Sequence, residues 1–90
     1  MAFFIVNIGD EIGNFETVTS ILVECQKEDI GERCEAIARN WYGSEGDLEN
    51  EDDEDCGRYV NRNGNVSYVD DFHQITEACY QELKGFLSPL

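Results

Sequence analysis

Four cysteines and one histidine are the side chains of this sequence best suited to metal binding or nucleophilic catalysis. The cysteines are Cys25, Cys34, Cys56 and Cys79, and the histidine is His73. Their spacing contains no C-x-x-C pair and no zinc-ribbon pattern, and the chain has no G-x-S-x-G motif. A cysteine–histidine pair brought together only by folding is the one enzymatic alternative. We therefore expect reduced cysteines packed as small apolar side chains, no cofactor and no metal, in a binding protein rather than an enzyme.

Carboxylates make up most of the remaining polar chemistry, and calcium binding is the first function to test. Eight of the eleven residues 45–55 are acidic. An EF-hand loop needs oxygen ligands at positions 1, 3 and 5, glycine at position 6 and glutamate at position 12. A loop that starts at Asp47 has Arg58 at position 12, and one that starts at Asp53 has Gly64 there. Neither register fits, so we expect no specific calcium site.

The net charge excludes several classes of partner. The chain of 90 residues has 20 acidic and 6 basic side chains, which give a formal net charge of −14. Direct binding to nucleic-acid phosphates requires a basic surface, so we expect no direct nucleic-acid partner and no anionic membrane surface. No apolar run approaches the ~20 residues of a membrane span, and residues 1–8 lack the basic start of a signal peptide. We expect a cytoplasmic protein of one domain over residues 1–90.

The spacing of the acids resembles that of nucleic-acid phosphates. If the acidic run at 51–55 is extended, it places a charge every ~3.3 Å, against ~3.4 Å along one DNA strand. A second row follows one side of a predicted helix at a wider spacing of ~5–6 Å. We expect the row and the run to form one negative surface that binds a partner. Its predicted residues are Glu28, Glu32, Glu35, Glu45, Asp47, Glu49, Glu51, Asp52, Asp53, Glu54, Asp55, Asp70 and Asp71.

The first half of the chain predicts a hairpin followed by a helix. Residues 2–8 and 15–25 are rich in Phe, Ile, Val and Thr and predict two strands with a turn at 9–14. Helical spacing then predicts a helix over 29–42, with Asp29 and Glu32 as a capping pair and Gly43 just past its end. The buried face of that helix is expected to contain Ile30, Cys34, Ile37, Ala38 and Trp41.

The second half repeats this plan after an acidic loop at 44–57, which we expect to be extended and mobile. Asn63-Gly64 predicts a two-residue turn that sets Tyr59 opposite Tyr68. A connector at 70–75 leads to a helix that starts after Thr76 and stops before Pro89. Its apolar face is expected to contain Cys79, Tyr80, Leu83, Phe86 and Leu87. The predicted fold class is α+β, a four-stranded antiparallel sheet with two helices on one face, in the order ββαββα.

Small size, strong acidity, unpaired cysteines and the acidic run at 45–55 together resemble a functional type rather than a sequence family. That type is the DNA-mimic inhibitors of phages and mobile elements, which include anti-CRISPR and anti-restriction proteins. The resemblance implies a phage-encoded inhibitor acting in a bacterial host cell. Its partner would be a basic nucleic-acid-binding protein or complex, such as a CRISPR effector, a restriction enzyme or a nucleoid protein.

Three other interpretations stay open from the sequence. The acidic loop is merely solvated, or the whole chain comes from an acid-rich halophilic proteome. In the main alternative the protein is a small docking or regulatory module that uses its sheet face or edge, with Tyr59, Val66 and Tyr68 as contact residues. A homodimer is compatible with every interpretation and would double the charged surface.

Overall fold

A computed structural model describes residues 1–50 and 57–90 of the protein. Their fold is α+β, with a five-stranded sheet of antiparallel strands and two helices. The strands are β1 (Ala2–Ile12), β2 (Phe15–Cys25), β3 (Asp47–Leu48), β4 (Arg58–Val60) and β5 (Val66–Ile75), and the helices are α1 (Ile30–Arg39) and α2 (Glu77–Leu83). The order across the sheet is β2-β1-β5-β4-β3. The prediction is therefore wrong in strand number and in element order, which is ββαβββα rather than ββαββα, because β3 adds a fifth strand.

The β1–β2 hairpin is confirmed, but β1 is longer than predicted. Its ladder with β2 is regular from Ala2 opposite Cys25 to Ile12 opposite Phe15, so the turn expected at 9–14 contracts to residues 13 and 14. Gly9 does not end the strand. A β-carbon at Gly9 would lie 2.2 Å from the ring of Tyr68, so glycine is required here because that ring crosses the backbone.

The main core lies between α1 and one face of the hairpin. Alternate residues of β1 (Phe4, Val6 and Ile8) are buried there, together with three from β2: Ile21, Val23 and Cys25. The helix contributes Ile30, Cys34 and Ile37, and Ala38 is buried too, with Trp41 packed at the margin. This confirms the helical face predicted from the apolar spacing.

The ends of α1 differ from the prediction. A 3₁₀ turn at Lys27–Asp29 precedes the helix, and the Asp29 side chain makes no capping hydrogen bond. At the other end the helix stops at Arg39 rather than at residue 42. The Arg39 carbonyl accepts from the N–H of Gly46 at 2.8 Å, so the chain turns back toward the sheet. Gly43 has the expected positive φ of 83° but lies in the following turn.

Part of the predicted acidic loop forms the fifth strand. Asp47 pairs with Val60 and Leu48 with Tyr59. The N–H of Glu49 donates to the carbonyl of Arg58 at 2.9 Å, which extends the pairing by one bond. Asp47 and Leu48 therefore belong to the sheet rather than to a loop. The sequence did not indicate this strand because two residues have too little apolar pattern to be detected. The prediction for 51–56 lies outside the described residues.

The β4–β5 hairpin is confirmed with a register shifted by one residue. Tyr59 lies opposite Ser67 and Arg58 opposite Tyr68, instead of Tyr59 opposite Tyr68. The Asn61 side chain accepts from the N–H groups of residues 63 and 65, and Gly64 has a φ of 80°. The N–H of Asn61 donates to the carbonyl of Asn65 at 3.0 Å, so the turn that this bond closes has three residues (62–64) instead of the two predicted from Asn63-Gly64.

The expected connector at 70–75 is the second half of β5. This half pairs with β1, as in Val6 opposite Phe72 and Phe3 opposite Ile75. The register shifts between Asn7 and Ile8, which leaves Asp70 as an extra residue in a bulge. That bulge breaks the alternation of polar and apolar residues, so the sequence did not show a strand here.

The second helix lies on the sheet face opposite α1, which corrects the prediction of both helices on one face. The ring of Tyr80 contacts Phe3 at 4.9 Å, and Phe3 alternates with the core residue Phe4. Thr76 caps this helix as predicted by accepting from the N–H of Cys79. However, α2 ends at Leu83, and Phe86 is 86% exposed rather than part of an apolar face.

The C-terminal residues form a bridge with β2. The N–H of Leu22 donates to Ser88, and the N–H of Leu90 donates to Leu22. Pro89 therefore lies beside the outer side of β2 rather than directly after a helix. No helix of the described chain is long and apolar enough to cross a membrane.

Candidate acidic interface

The predicted helical acids lie on the solvent side of the first helix. Glu28 in the 3₁₀ turn, and Glu32 and Glu35 in α1, are all exposed, and we call these three residues the α1 acidic row. The apolar spacing of α1 fixes their direction, because the opposite side of the helix is buried against the sheet. Among the described residues, Glu28 and Glu32 form no ion pair with a basic side chain.

A groove lies between Glu35 of this row and Gly57. It has a volume of about 320 Å³, and its α1 side includes Gly31 and Glu35. Its other side includes Gly57, Val69 and Phe72. Gly57 follows the acidic run 51–55 within two residues in the sequence. Glu51, Asp52, Asp53, Glu54 and Asp55 themselves lie outside the described residues.

One arginine partly neutralises the row. The guanidinium of Arg39 lies 3.1 Å from the carboxylate of Glu35 and 3.9 Å from that of Glu45. It also stacks on the ring of Tyr59, with 5.0 Å from its carbon to the ring centroid. Two of the predicted partner-binding acids are thus shared with an internal cation. Exposed pairs of this kind contribute only ~0.2–1 kcal/mol, so an external cation can compete for the carboxylates.

Glu49 belongs to a separate cluster on the opposite face of the sheet. Arg58 lies 2.7 Å from Glu49 and 2.6 Å from Glu11, and stacks on the ring of Tyr68 at 4.8 Å. The hydrogen bond with Glu49 is the largest cause of the raised pKa of Arg58. The cluster holds the end of β3 against β4, so Glu49 has a structural partner that the sequence did not indicate. Asp47, two residues earlier in the chain, is exposed.

The two acids of β5, Asp70 and Asp71, do not extend the α1 acidic row as predicted. The carboxylate of Asp71 accepts from the side chain of Asn7 and lies 3.3 Å from His73, on the face away from α1. The hydrogen bond from Asn7 is the first cause of the lowered pKa of Asp71. Asp70 is exposed in the bulge and forms no ion pair with a described basic residue.

Tyr42 and the two predicted contact tyrosines, Tyr59 and Tyr68, all interact with other residues of the protein. Tyr42 donates its hydroxyl hydrogen to Asp10, and burial followed by this bond raises its pKa. Tyr59 is 2% exposed, under Arg39. Tyr68 lies between Gly9 and Arg58. The packing of Tyr59 and Tyr68 depends on the register of β4 and β5, which differs by one residue from the register predicted from the sequence.

The described cysteines behave as core residues. Cys25 and Cys34 are buried and free, and burial is the main cause of the raised pKa of each thiol. Cys79 is also free and partly buried. His73 lies on β5 opposite Ile5, whose side chain alternates with the core residues, so the sheet separates His73 from Cys25. Within residues 1–50 and 57–90, no group of three metal-binding side chains was found.

Negative charge is not confined to the predicted surface. Glu16 and Glu24 are exposed on β2, and Glu77 and Glu82 are exposed on α2. What distinguishes the α1 side among the described residues is therefore the groove that has Glu35 of the α1 acidic row on one side and Gly57 on the other, rather than charge as such.

Comparison with protein-family models, curated protein sequences and solved structures gave no match. The function must therefore be argued from the residues of this chain.

Proposed function

We propose that the protein is a binding protein that presents its acidic α1 side to a basic groove on another macromolecule. More particularly, it is a nucleic-acid mimic that occupies the DNA- or RNA-binding groove of a bacterial defence or DNA-binding protein and inhibits it by competition. The predicted partner classes are CRISPR effector complexes, restriction enzymes and nucleoid proteins. In this role the carboxylates replace phosphates as partners of Lys and Arg.

The observation that carries the proposal is the groove between the α1 acidic row and Gly57. Glu35 lies on one side of it, and Gly57 lies on the other. In the sequence, Gly57 follows Cys56 and the five consecutive acids 51–55. An elongated partner groove lined by Lys and Arg could contact both sets at once. The basic side chain of Arg33 does not interrupt this side, because it reaches toward the carbonyl of Leu90 on the other flank of the helix.

Electrostatics sets the expected behaviour of such a complex. A net charge of −14 attracts a basic groove at long range, so association should be fast at low salt. The Debye length falls from ~10 Å at 0.1 M to ~3 Å at 1 M ionic strength, so the affinity should fall steeply as salt is added. An apolar docking mode would show a much weaker dependence.

Displacement of DNA tests the proposal directly. A labelled duplex is bound in turn to a guide-loaded CRISPR effector, a restriction enzyme and a nucleoid protein, and fluorescence anisotropy follows its release. We expect near-stoichiometric release from at least one of them at low salt. A variant with amides at 51–55 (Glu51→Gln, Asp52→Asn, Asp53→Asn, Glu54→Gln, Asp55→Asn) should lose this effect. Retention of the duplex by all three, or equal release by the variant, would contradict the proposal.

The alternative docking module loses most of its candidate residues in the fold. Tyr59 is buried and Tyr68 is covered by Arg58, so neither presents a free aromatic surface. The exposed apolar residues on an edge strand are Phe15 and Val18 of β2, and their position favours pairing between two copies of the chain.

A further inference from the structure

The outer side of β2 has an open backbone edge. The N–H and C=O of Leu22 point outward, because both bond to the C-terminal residues Ser88 and Leu90. The β1–β2 register is regular, so the outward direction recurs at every second residue. The backbone groups of Glu16, Val18 and Ser20 therefore point outward as well. Within residues 1–50 and 57–90, no other strand pairs with this part of the edge.

The side chains beside this edge carry little charge for so acidic a protein, and two of them are exposed and apolar. Phe15 is 77% exposed and Val18 is 60% exposed. Glu16 is the one charged residue between Phe15 and Ile21, and the rest are Thr, Val and Ser. Natural edge strands are commonly protected by lysine, proline or a bulge, and the segment 16–20 has none of these.

We infer that residues 16–20 of β2 pair with the same residues of a second copy of this chain, antiparallel and about a two-fold axis at Val18. In this register Val18 lies opposite its own copy, and Glu16 lies opposite Ser20. All outward N–H and C=O groups of these three residues then find partners across the axis. The sheets of the two copies become one continuous sheet.

The distribution of charge favours a second copy as the occupant. A basic partner would gain little at this edge, since it has a single acid. In the proposed register the two Glu16 side chains are offset by four residues, or roughly 13 Å along the strand. That distance exceeds the Debye length of ~8 Å at physiological ionic strength. The register also ends before Leu22, where Ser88 and Leu90 already occupy the edge.

Self-association and partner capture respond to salt in opposite directions. Two copies of a chain with a net charge of −14 repel each other, so added salt should strengthen the dimer. The same salt should weaken binding to a basic groove. The test of the dimer is therefore independent of the test of the proposed inhibition, and either can fail without the other.

Sedimentation equilibrium of the full chain tests the dimer. We expect a reversible dimer whose dissociation constant falls severalfold between 0.1 M and 0.5 M NaCl. Val18→Glu places two carboxylates directly across the axis and should leave a monomer. Gln81→Glu, an exposed position on α2 with the same change in charge, should dimerise like the wild type. A wild type that is monomeric at both salt concentrations, or a Val18→Glu variant that still dimerises, would overturn the inference.

Amide hydrogen exchange of the wild type gives a second test that needs no variant. In the monomer, the outward amides of Glu16, Val18 and Ser20 should exchange faster than the inward amides of Thr17 and Thr19. Raising the protein concentration should slow the three outward amides selectively. If their exchange does not depend on concentration while a dimer forms, the dimer uses another surface and the inference is wrong.

Discussion

Gly9→Ala tests whether Tyr68 crosses β1 as the structure shows. The added β-carbon would lie 2.2 and 2.3 Å from two carbons of the Tyr68 ring, whereas carbon atoms normally pack at ~3.5–4.0 Å. The ring would have to move by more than ~1 Å, which would disturb the stacking of Arg58 on it at 4.8 Å. Overpacking costs ~1–3 kcal/mol, and the cation–π contact contributes ~0.5–1 kcal/mol. We expect a loss of about 2–3 kcal/mol.

A double-mutant cycle measured by urea unfolding isolates this contact. In a Tyr68→Ala background the alanine at residue 9 no longer meets a ring, so Gly9→Ala should be neutral or stabilising by up to ~1 kcal/mol. Gly31→Ala is the matched control, because a β-carbon there meets no atom within 4 Å on the α1 surface. This control should be neutral or slightly stabilising.

Additivity would refute the reasoning. If Gly9→Ala costs the same with and without the Tyr68 ring, the two residues are not in contact, and the register of β1 and β5 that places Gly9 opposite Tyr68 is wrong. A cost below ~1 kcal/mol in the wild-type background would lead to the same conclusion. Unchanged m-values across the cycle are needed for either result, since they show that the same surface is exposed on unfolding.

Two further predictions concern buried and exposed hydrogen bonds. Ser67→Ala should destabilise the protein by ~1–3 kcal/mol in urea unfolding, because Ser67 is 2% exposed and its hydroxyl donates to the Ala38 carbonyl at 2.6 Å; an unchanged midpoint would contradict this. Asn7→Ala should raise the pKa of Asp71 toward its usual value of 3.8, as measured by NMR titration of the carboxyl carbon. Since the folded-state pKa is lowered, the stabilisation is present above pH 3.8 and is lost as the pH falls through the folded-state value. An equal pKa in both proteins would exclude Asn7 as the cause.

The regular elements of the fold could be predicted because each has a clear period. The apolar residues of α1 repeat at helical spacing, and the strands of the first hairpin are long and β-branched. Thr76 was recognised as a cap from its position before an apolar helical pattern. These features depend on neighbours along the chain, which a sequence displays directly.

The elements that were missed depend on partners distant in sequence. β3 is two residues long and is a strand only because β4 lies beside it. The second half of β5 contains a bulge at Asp70 and has polar residues on its solvent side. Gly9 suggested a turn, whereas the actual reason for glycine is a ring 59 positions later in the chain.

The candidate site shows the same division. The α1 acidic row could be predicted because helical geometry fixes which side of an amphipathic helix faces solvent. The partners of Glu35, Glu45 and Glu49 could not, because Arg39 and Arg58 reach them through a turn and across strands. The hydrogen bond of Asp71 with Asn7 likewise requires the pairing of β5 with β1.

The most direct test of the central claim compares two variants with the same net charge. Glu28→Gln/Glu32→Gln removes two carboxylates of the α1 acidic row, and Glu77→Gln/Glu82→Gln removes two exposed carboxylates of α2, on the other face of the sheet. The affinity of each is measured for the basic protein from which the wild type releases DNA. At ~1 kcal/mol for each lost contact, the first variant should bind about thirtyfold more weakly, and the second less than about threefold. Equal losses would show that only total charge matters and would contradict a specific acidic interface.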